Sequence, residues 1–412
     1  MSAASQVAPD AVRRISVHRS GNRVALGGMV ALAAGMGIGR FVYTPILPDM
    51  AAALGLTAAA SGLLASANFI GYLAGALLVA MPRLPGGRRG WFLAGLAVSA
   101  GSTAAMAGVG SMPAFLLLRF AGGVASACVL VVGSALVLDH LAALQRAHRA
   151  ALHFAGVGVG IAISSILVDA LQAGGAGWRW EWLASGAVSA CAVPLAAWLI
   201  PESRAAAPTA VHGAAKQHRR LPRGIGMLTL CHGLFGFGYV VTATFLVAIV
   251  RGTLHARGLE AVVWLAVGLA AVPSTAIWGR IGGRIGALPA YACACLLEAV
   301  GVAAGGLWPS AAGVMLAAVL LGGTFMGITA LGFAAARTLA PHQQHRCFAV
   351  ITAGFGLGQI IGPSVAGLLL DRTHSFAVPS LIAAAAVALA AAISFTSAAR
   401  SPSAVPLPPT PR

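Results

Sequence analysis

The chain has 412 residues, of which 59% are hydrophobic and only 8% charged, and its formal net charge is +17. Soluble domains contain about 45–50% apolar and about 25% charged residues, so this composition excludes a soluble globular protein. The basic residues are scattered over many loops instead of lining one face, and the charge therefore does not indicate nucleic-acid binding.

Apolar stretches of about 20 residues, the length that spans a bilayer as a helix, recur twelve times along the chain. Strand-like alternation is missing from them, and a helix is the structure that satisfies backbone groups within one segment in hydrocarbon. We therefore predict an all-α polytopic membrane protein. The predicted spans cover residues 24–48, 58–81, 90–110, 112–138, 150–171, 179–200, 224–250, 259–278, 287–307, 309–336, 347–370 and 376–396.

Polar segments divide these spans into two sets of six. We expect a cytoplasmic tail over 1–23, a six-helix bundle over 24–200, a cytoplasmic linker over 201–223, a second bundle over 224–396 and a cytoplasmic tail over 397–412. A cleavable signal peptide is the rival interpretation of the amino terminus, because Arg13 and Arg14 precede an apolar run. The internal repeat argues against it, since the repeat requires the first helix in the mature chain.

Basic residues predict the orientation of the chain. Of the 26 Lys and Arg residues, 20 fall in one set of alternate loops and tails and four in the other, while Arg40 and Arg119 lie within spans. Cytoplasmic loops carry an excess of Lys and Arg, so both termini are expected in the cytoplasm.

Arg40 lies in the first span, within GIGRFVYTPILPDM, and Arg119 lies in the fourth. A charge near the bilayer centre costs from about 2.5 to more than 10 kcal/mol, so such a side chain usually faces a cavity or a partner. Both arginines are close enough to a helix end for the side chain to reach the membrane surface, and this alternative stays open. Tyr43 and Thr44 follow Arg40 on the same side of the helix.

Glycines recur in the two halves at offsets of 198 to 200 residues, which indicates duplication. Six-helix halves in parallel repeat are a known transporter plan, with the substrate site between them. We expect Gly37 to face the region of Gly236 across a pseudo-two-fold axis. The glycines and the proline assigned to helix packing and gating are Gly37, Gly39, Gly122, Gly123, Gly236, Gly238, Gly354, Gly358, Gly362 and Pro363.

Several motifs carry a family resemblance: GIGRFVYTPILP in helix 1, SANFIGYLAGAL in helix 2, GFGYVVTATFL in helix 7 and GFGLGQIIGPSVAGLLLD in helix 11. Through them the chain resembles the major facilitator superfamily, and within it the bacterial YbfB/YjiJ-like branch. The resemblance implies a twelve-helix fold in the bacterial inner membrane, alternating access, and a cavity lined by helices 1, 4, 7 and 10. We expect a monomer surrounded by membrane lipid, with no cofactor and no metal.

The chain departs from the superfamily pattern at two places. The loop PRLPGGRRG lacks the aspartate that normally precedes Arg-x-Gly, which puts a latch built on that carboxylate in doubt. Ser164 and Ser165 stand where helix 11 has Gly362 and Pro363. The family's antiporters carry glycine with proline in helix 5, so this departure weighs against a proton-driven drug exporter.

The four presumed cavity helices hold two arginines and no carboxylate near mid-span, so a positive cavity is expected. The planar guanidinium suits a carboxylate, and the predicted cargo is a small organic anion. In the repeat Arg40 corresponds to Tyr239, so the fold tolerates an uncharged residue there. The predicted substrate-binding residues are Arg40, Tyr43, Thr44, Arg119, Tyr239, Thr324 and Gln359.

Two titratable residues within predicted spans, His232 and Glu298, are candidates for a proton relay, with protons as the coupling ion. The alternative for His232 is a hydrogen bond to a neighbouring helix, and the alternative for Glu298 is helix packing or a side chain that reaches toward the membrane surface.

The sequence is compatible with other functions. One alternative is an efflux pump for drugs or metabolites, and the sequence does not distinguish efflux from uptake by proton symport or by uniport. A second is a non-transporting membrane sensor or enzyme, although the sequence has neither a His-Glu-x-x-His pattern nor a Gly-x-x-x-x-Gly-Lys pattern.

Overall fold

A computed structural model describes residues 21–81, 87–202, 222, 224–254, 257–341 and 343–400. Most of the predicted linker and tails lies outside this part of the chain. Within it, twelve helices are long and apolar enough to span a membrane. They are α1 Gly21–Leu54, α2 Ala58–Val79, α3 Arg88–Gly108, α4 Met112–Ala143, α5 Ala147–Ala173, α6 Trp178–Leu199, α7 Ile225–Gly252, α8 Gly258–Ile285, α9 Ala287–Leu307, α10 Ala311–Leu339, α11 Arg346–Thr373 and α12 Ala377–Ala398.

Each predicted span corresponds to one helix, and several helices run further than predicted. Helix α1 begins at Gly21, inside the predicted tail, and ends at Leu54 instead of near residue 48. Large apolar side chains such as Leu117, Ile166 and Trp198 are exposed on the outer surface of the bundle. A soluble monomer rarely exposes so many, whereas lipid tails solvate them well. The protein is a multi-pass membrane protein.

The same helix neighbours recur in the two halves of the bundle. Helix α1 packs on α5 as α7 packs on α11, α2 on α4 as α8 on α10, and α3 on α6 as α9 on α12. Between the halves, α2 runs along α11 and α5 runs along α8. In the repeat, α2 corresponds to α8 and α5 corresponds to α11, so these two contacts are equivalent to each other. This equivalence supports the duplication that the glycine spacing predicts.

Glycines permit the closest of these helix contacts. A Cβ atom on Gly37 would lie 2.5 Å from the Cα atom of Gly160 in α5, and one on Gly358 would lie 2.0 Å from the carbonyl oxygen of Gly233 in α7. The expectation that Gly37 faces Gly236 is wrong, because each glycine is turned toward the partner helix of its own half. Gly236 meets Phe355 of α11.

The remaining glycines assigned to packing also lie against other helices. Gly123 approaches the backbone of Asn68 in α2, Gly238 approaches Ala383 in α12, and Gly362 approaches Phe237 in α7. Small residues at such places let two backbones come close, which is how membrane helices associate. Gly39, Gly122 and Gly354 likewise have neighbours on α3 or α7.

Candidate functional site

A cavity of about 270 Å³ lies between the two halves. Helices α1, α2, α4 and α5 line it from the first half, and α7, α8, α10 and α11 line it from the second. Most lining side chains are apolar or aromatic. Arg40 is the one formally charged residue among the described residues that line the cavity. The three other helices predicted to line the cavity, α4, α7 and α10, do so as well.

Hydrogen bonds join the two halves at one end of the bundle, which we call the closed end. Thr44 Oγ1 donates to the carbonyl oxygen of Ala243 at 2.6 Å, and the Asp371 carboxylate accepts from the backbone N–H groups of Ala58 and Ala59 at 2.9 Å each. Two further serines of the first half donate to carbonyl oxygens of the second, at 2.7 Å: Ser66 to Ile360 and Ser165 to Ala261.

Backbone contacts reinforce the closed end. A Cβ atom on Gly62 of α2 would lie 2.1 Å from the carbonyl oxygen of Pro363 in α11. The cavity occupies the opposite stretch of each helix: Val157 precedes Ser165 in α5, and Phe355 precedes Ile360 in α11. The cavity therefore extends from the closed end toward the end that carries the start of α1.

An ion cluster that the sequence reasoning missed also bridges the halves at the closed end. The Arg251 guanidinium of α7 donates from Nε to Glu260 Oε1 at 2.8 Å and from Nη2 to Glu260 Oε2 at 2.6 Å. Its Nη1 atom pairs with Asp49 of α1. In the sequence, Asp49 and Arg251 differed from other charged residues in no way that indicated an ion pair. Both lie at helix ends, where charged residues are common.

Arg40 is 4% exposed and lines the cavity, and no carboxylate of the described residues forms an ion pair with it. Its guanidinium carbon lies over the rings of Phe69 and Tyr72, 4.5 and 4.6 Å from their centroids. These cation–π contacts stabilise the positive charge, but they do not replace hydrogen-bond acceptors in the plane of the guanidinium. Among the described residues, none accepts a hydrogen bond from Nε or Nη2 of Arg40, and both atoms are buried.

The backbone around Arg40 is irregular for a reason visible in the sequence. A π-helical segment covers Ala33–Ile38, and the Gly39 N–H bonds the carbonyl of Ala34, five residues earlier. Pro45 has no N–H to donate, and the carbonyl of Phe41 accepts from Thr44 instead at 3.2 Å. Irregular backbone at membrane depth is tolerated where it lines a cavity, and π-helical turns are frequent at functional sites.

Tyr239 lies in the same cavity, in the position of α7 that corresponds to Arg40 in α1. Its ring is nearly parallel to those of Phe325 in α10 and Phe355 in α11, at interplanar angles of 8° and 6° and centroid distances of 5.9 and 5.8 Å. Gln359 donates a hydrogen bond to the Tyr239 hydroxyl and is fully buried. Its amide oxygen has no partner among the described residues.

Arg40, Tyr239 and Gln359 are the predicted substrate-binding residues that line the cavity. Arg119 does not line it. Its guanidinium lies over the ring of Tyr43, 4.6 Å from the centroid, and its Nε donates to the carbonyl of Leu64 at 3.4 Å.

The other three predicted substrate-binding residues make contacts between helices and do not line the cavity. Tyr43 donates to the carbonyl of Ser61 at 2.8 Å, and Thr44 makes the closed-end contact. Thr324 donates to Glu298.

The two proton-relay candidates are buried in the second half, outside the cavity lining. The His232 ring lies among Phe235, Phe333 and Phe355, and its Nδ1 is 3.1 Å from the Tyr291 hydroxyl. Glu298 Oε2 accepts from Thr324, and Oε1 has no partner among the described residues. In the described part of the chain, no hydrogen bond or ion pair joins His232 to Glu298.

Comparison with protein families decides the membership of the chain. Residues 32–395 match the family model described as "Uncharacterised MFS-type transporter YbfB". The chain belongs to this family. The superfamily membership expected from the helix 1, 2, 7 and 11 motifs is thereby confirmed, and the protein is a membrane transporter of the major facilitator superfamily fold.

Relatives and solved structures agree with this assignment. A protein of Streptomyces lividans called "Chloramphenicol resistance protein" is 27% identical over 381 residues, which cover 87% of this chain and 92% of that protein. The structure of the nucleoside transporter NupG matches with a TM-score of 0.73 at 13% identity, over 91% of this chain and 99% of that one.

A bacterial homolog of the human lysosomal transporter Spinster, in an inward-facing and unoccupied conformation, matches with a TM-score of 0.69 at 15% identity, over 92% and 97% of the two chains. At these identities the structural likeness establishes the fold.

Proposed function

We propose that the protein is a secondary transporter that moves a small organic anion across the bacterial inner membrane by alternating access. The single observation that carries this proposal is Arg40, a buried cation whose Nε and Nη2 atoms have no acceptor among the described residues, in a cavity whose described lining holds no carboxylate. A buried charge without a partner is costly, and an anionic cargo would relieve that cost each time it binds.

The proposed orientation places both termini in the cytoplasm, as the charge distribution predicts. The closed end then faces outward, and the cavity faces the cytoplasm. Alternating access would require the Thr44, Ser66 and Asp371 contacts to break while new contacts form between the halves at the cytoplasmic end.

A thermal-shift screen of the purified protein tests the proposed cargo class. Small carboxylates, amino acids and antibiotics are compared on the wild type and on Arg40→Gln, because a ligand that binds the folded state raises the melting temperature. We expect carboxylates to stabilise the wild type and to have no effect on Arg40→Gln. Stabilisation by neutral compounds alone, equal in both proteins, would refute the anion proposal.

Drug or metabolite export is the second candidate function, and the relative named for chloramphenicol resistance favours it. The cavity's aromatic lining also suits an uncharged aromatic drug. Expression in a sensitive host separates the candidates. Export predicts less accumulated chloramphenicol in cells that express the wild type, and an anion transporter predicts no change.

Glu298 and His232 are our proposed proton carriers if transport is coupled to protons. Both are buried, and each has one polar atom without a partner among the described residues. Glu298→Gln removes the titratable group and keeps the shape of the side chain. Loss of pH-gradient-driven uptake with preserved exchange of cargo would support the coupling role, and unchanged gradient-driven uptake would exclude Glu298.

A further inference from the structure

We infer that the cavity takes a flat aromatic monocarboxylate in particular. This inference rests on the proposed function, and it narrows "small organic anion" to one chemical class. Three features of the described lining carry it: one cation whose Nε and Nη2 atoms have no acceptor there, a wall of nearly parallel rings, and two further polar side chains that each have an atom without a partner.

The charge of the cavity sets the charge of the cargo. Arg40 is the one formal charge in the described lining, and Arg119 is held outside by Tyr43 and the Leu64 carbonyl. One guanidinium edge matches one carboxylate through two parallel N–H···O bonds. A dicarboxylate would leave its second charge in an apolar chamber, and that burial is unfavourable. The cavity therefore selects a monoanion.

The wall contributed by the second half sets the shape of the cargo. Phe325 and Phe355 lie nearly parallel to Tyr239, and Phe41 meets Phe325 edge-on with a centroid distance of 5.9 Å. Aromatic rings interact favourably with other rings by offset stacking or edge contacts. A flat ring fits against such a wall with more contact area than a puckered ring of the same size. The volume of about 270 Å³ is at the small end for ligand pockets, which suits a single ring.

Two polar groups of the cavity lining offer hydrogen bonds to a substituent on the ring of the cargo. The Thr275 hydroxyl and one amide atom of Gln359 are buried without a partner among the described residues, and both side chains line the cavity. A buried polar atom without a hydrogen bond is unfavourable, so a ligand that satisfies it gains affinity. A ring hydroxyl would do so, and we expect hydroxylated ring acids to bind more tightly than the parent acid.

A ligand series on the purified full-length protein tests this inference by calorimetry. The probes are benzoate, 4-hydroxybenzoate, cyclohexanecarboxylate (same charge, puckered ring), phthalate (two charges) and benzamide (same shape, neutral). We expect benzoate to bind about threefold to tenfold more tightly than cyclohexanecarboxylate, the range of an aromatic contact. Phthalate and benzamide are expected to show no measurable binding.

Phe325→Leu tests the wall directly, with Phe245→Leu as the matched control, because Phe245 is equally buried but packs on Phe376 and does not line the cavity. We expect Phe325→Leu to bring benzoate and cyclohexanecarboxylate to equal affinity, while the control keeps the wild-type preference. If Phe325→Leu does not fold, the ligand series on the wild type decides alone.

The outcomes separate the two proposals. Equal binding of benzoate and cyclohexanecarboxylate to the wild type overturns the aromatic inference and leaves the anion proposal intact. A preference for benzoate that survives in Phe325→Leu also overturns it. Binding of benzamide with no binding of any carboxylate refutes the anion proposal itself.

Discussion

Thr44 donates its hydrogen bond to the carbonyl of Ala243, a residue 199 positions later in the chain, and the same spacing separates Gly37 from Gly236. A residue touches its own repeat equivalent only near the axis that relates two halves. This contact therefore supports a pseudo-two-fold axis between α1 and α7 at the closed end. Arg40 and Tyr239 precede Thr44 and Ala243 by one helical turn, so the cavity cation lies next to the contact that closes the bundle.

Gly62→Val should open the closed end. The backbone of Pro363 leaves no room for a Cβ atom on Gly62, so α2 and α11 must separate there. In a protein without native cysteines, Thr329→Cys reports access to the cavity, because Thr329 lines it. We expect an impermeant thiol reagent to label this cysteine from the cytoplasmic side in the parent and from the outer side in Gly62→Val.

Gly101→Val is the control for that experiment, since a Cβ atom on Gly101 meets no neighbour within 4 Å. It should label like the parent. Unchanged labelling in Gly62→Val, with normal expression, would mean that this contact does not hold the bundle closed.

Arg251→Gln should also favour opening, since it leaves Asp49 and Glu260 without their shared cation. The Arg251 side chain is 23% exposed, so the effect should be smaller than for a fully buried pair. We expect several-fold faster outer-side labelling of Thr329→Cys. Arg88→Gln breaks the more exposed pair with Asp139, which is expected to contribute about 0–1 kcal/mol, and should label like the parent. Equal labelling of the two variants would contradict a closing role for Arg251.

Two glycines that flank α3 test the predicted topology. Gly87 and Gly110 are exposed at opposite ends of this helix, and a Cβ atom on either meets nothing within 4 Å. In intact cells, with native cysteines removed, an impermeant reagent should label Gly110→Cys and spare Gly87→Cys. The opposite pattern would invert the assignment of both termini.

Periodicity and composition were sufficient to predict the twelve helices, because an apolar run of spanning length has no other stable structure in lipid. Periodicity and composition were less informative about which neighbouring helix, or which cavity, a given side chain faces. The sequence placed Gly37 opposite Gly236 and Arg119 among the substrate-binding residues, whereas in the structure Gly37 faces α5 and Arg119 packs on Tyr43. Which side of a helix meets which neighbour depends on the packing of all twelve, and a single sequence does not encode that locally.

Arg40 was predictable as a residue that faces the cavity because a charge within a span demands an explanation, but its aromatic surroundings were not. Phe325 and Phe355 belong to different helices and were indistinguishable in the sequence from ordinary packing residues. The irregular backbone on both sides of Arg40 had a readable signal in the glycines before it and in Pro45 after it, which the helix prediction did not use.

The affinity of Arg40 variants for the carboxylate that most stabilises the wild type tests the central claim most directly. Calorimetry is carried out on the wild type, Arg40→Lys and Arg40→Gln. We expect Arg40→Lys to weaken binding by about 1–3 kcal/mol, since lysine keeps the charge but loses the paired N–H geometry, and Arg40→Gln to abolish it. Wild-type affinity in both variants would contradict the account and leave Arg40 with only its packing contacts on Phe69 and Tyr72.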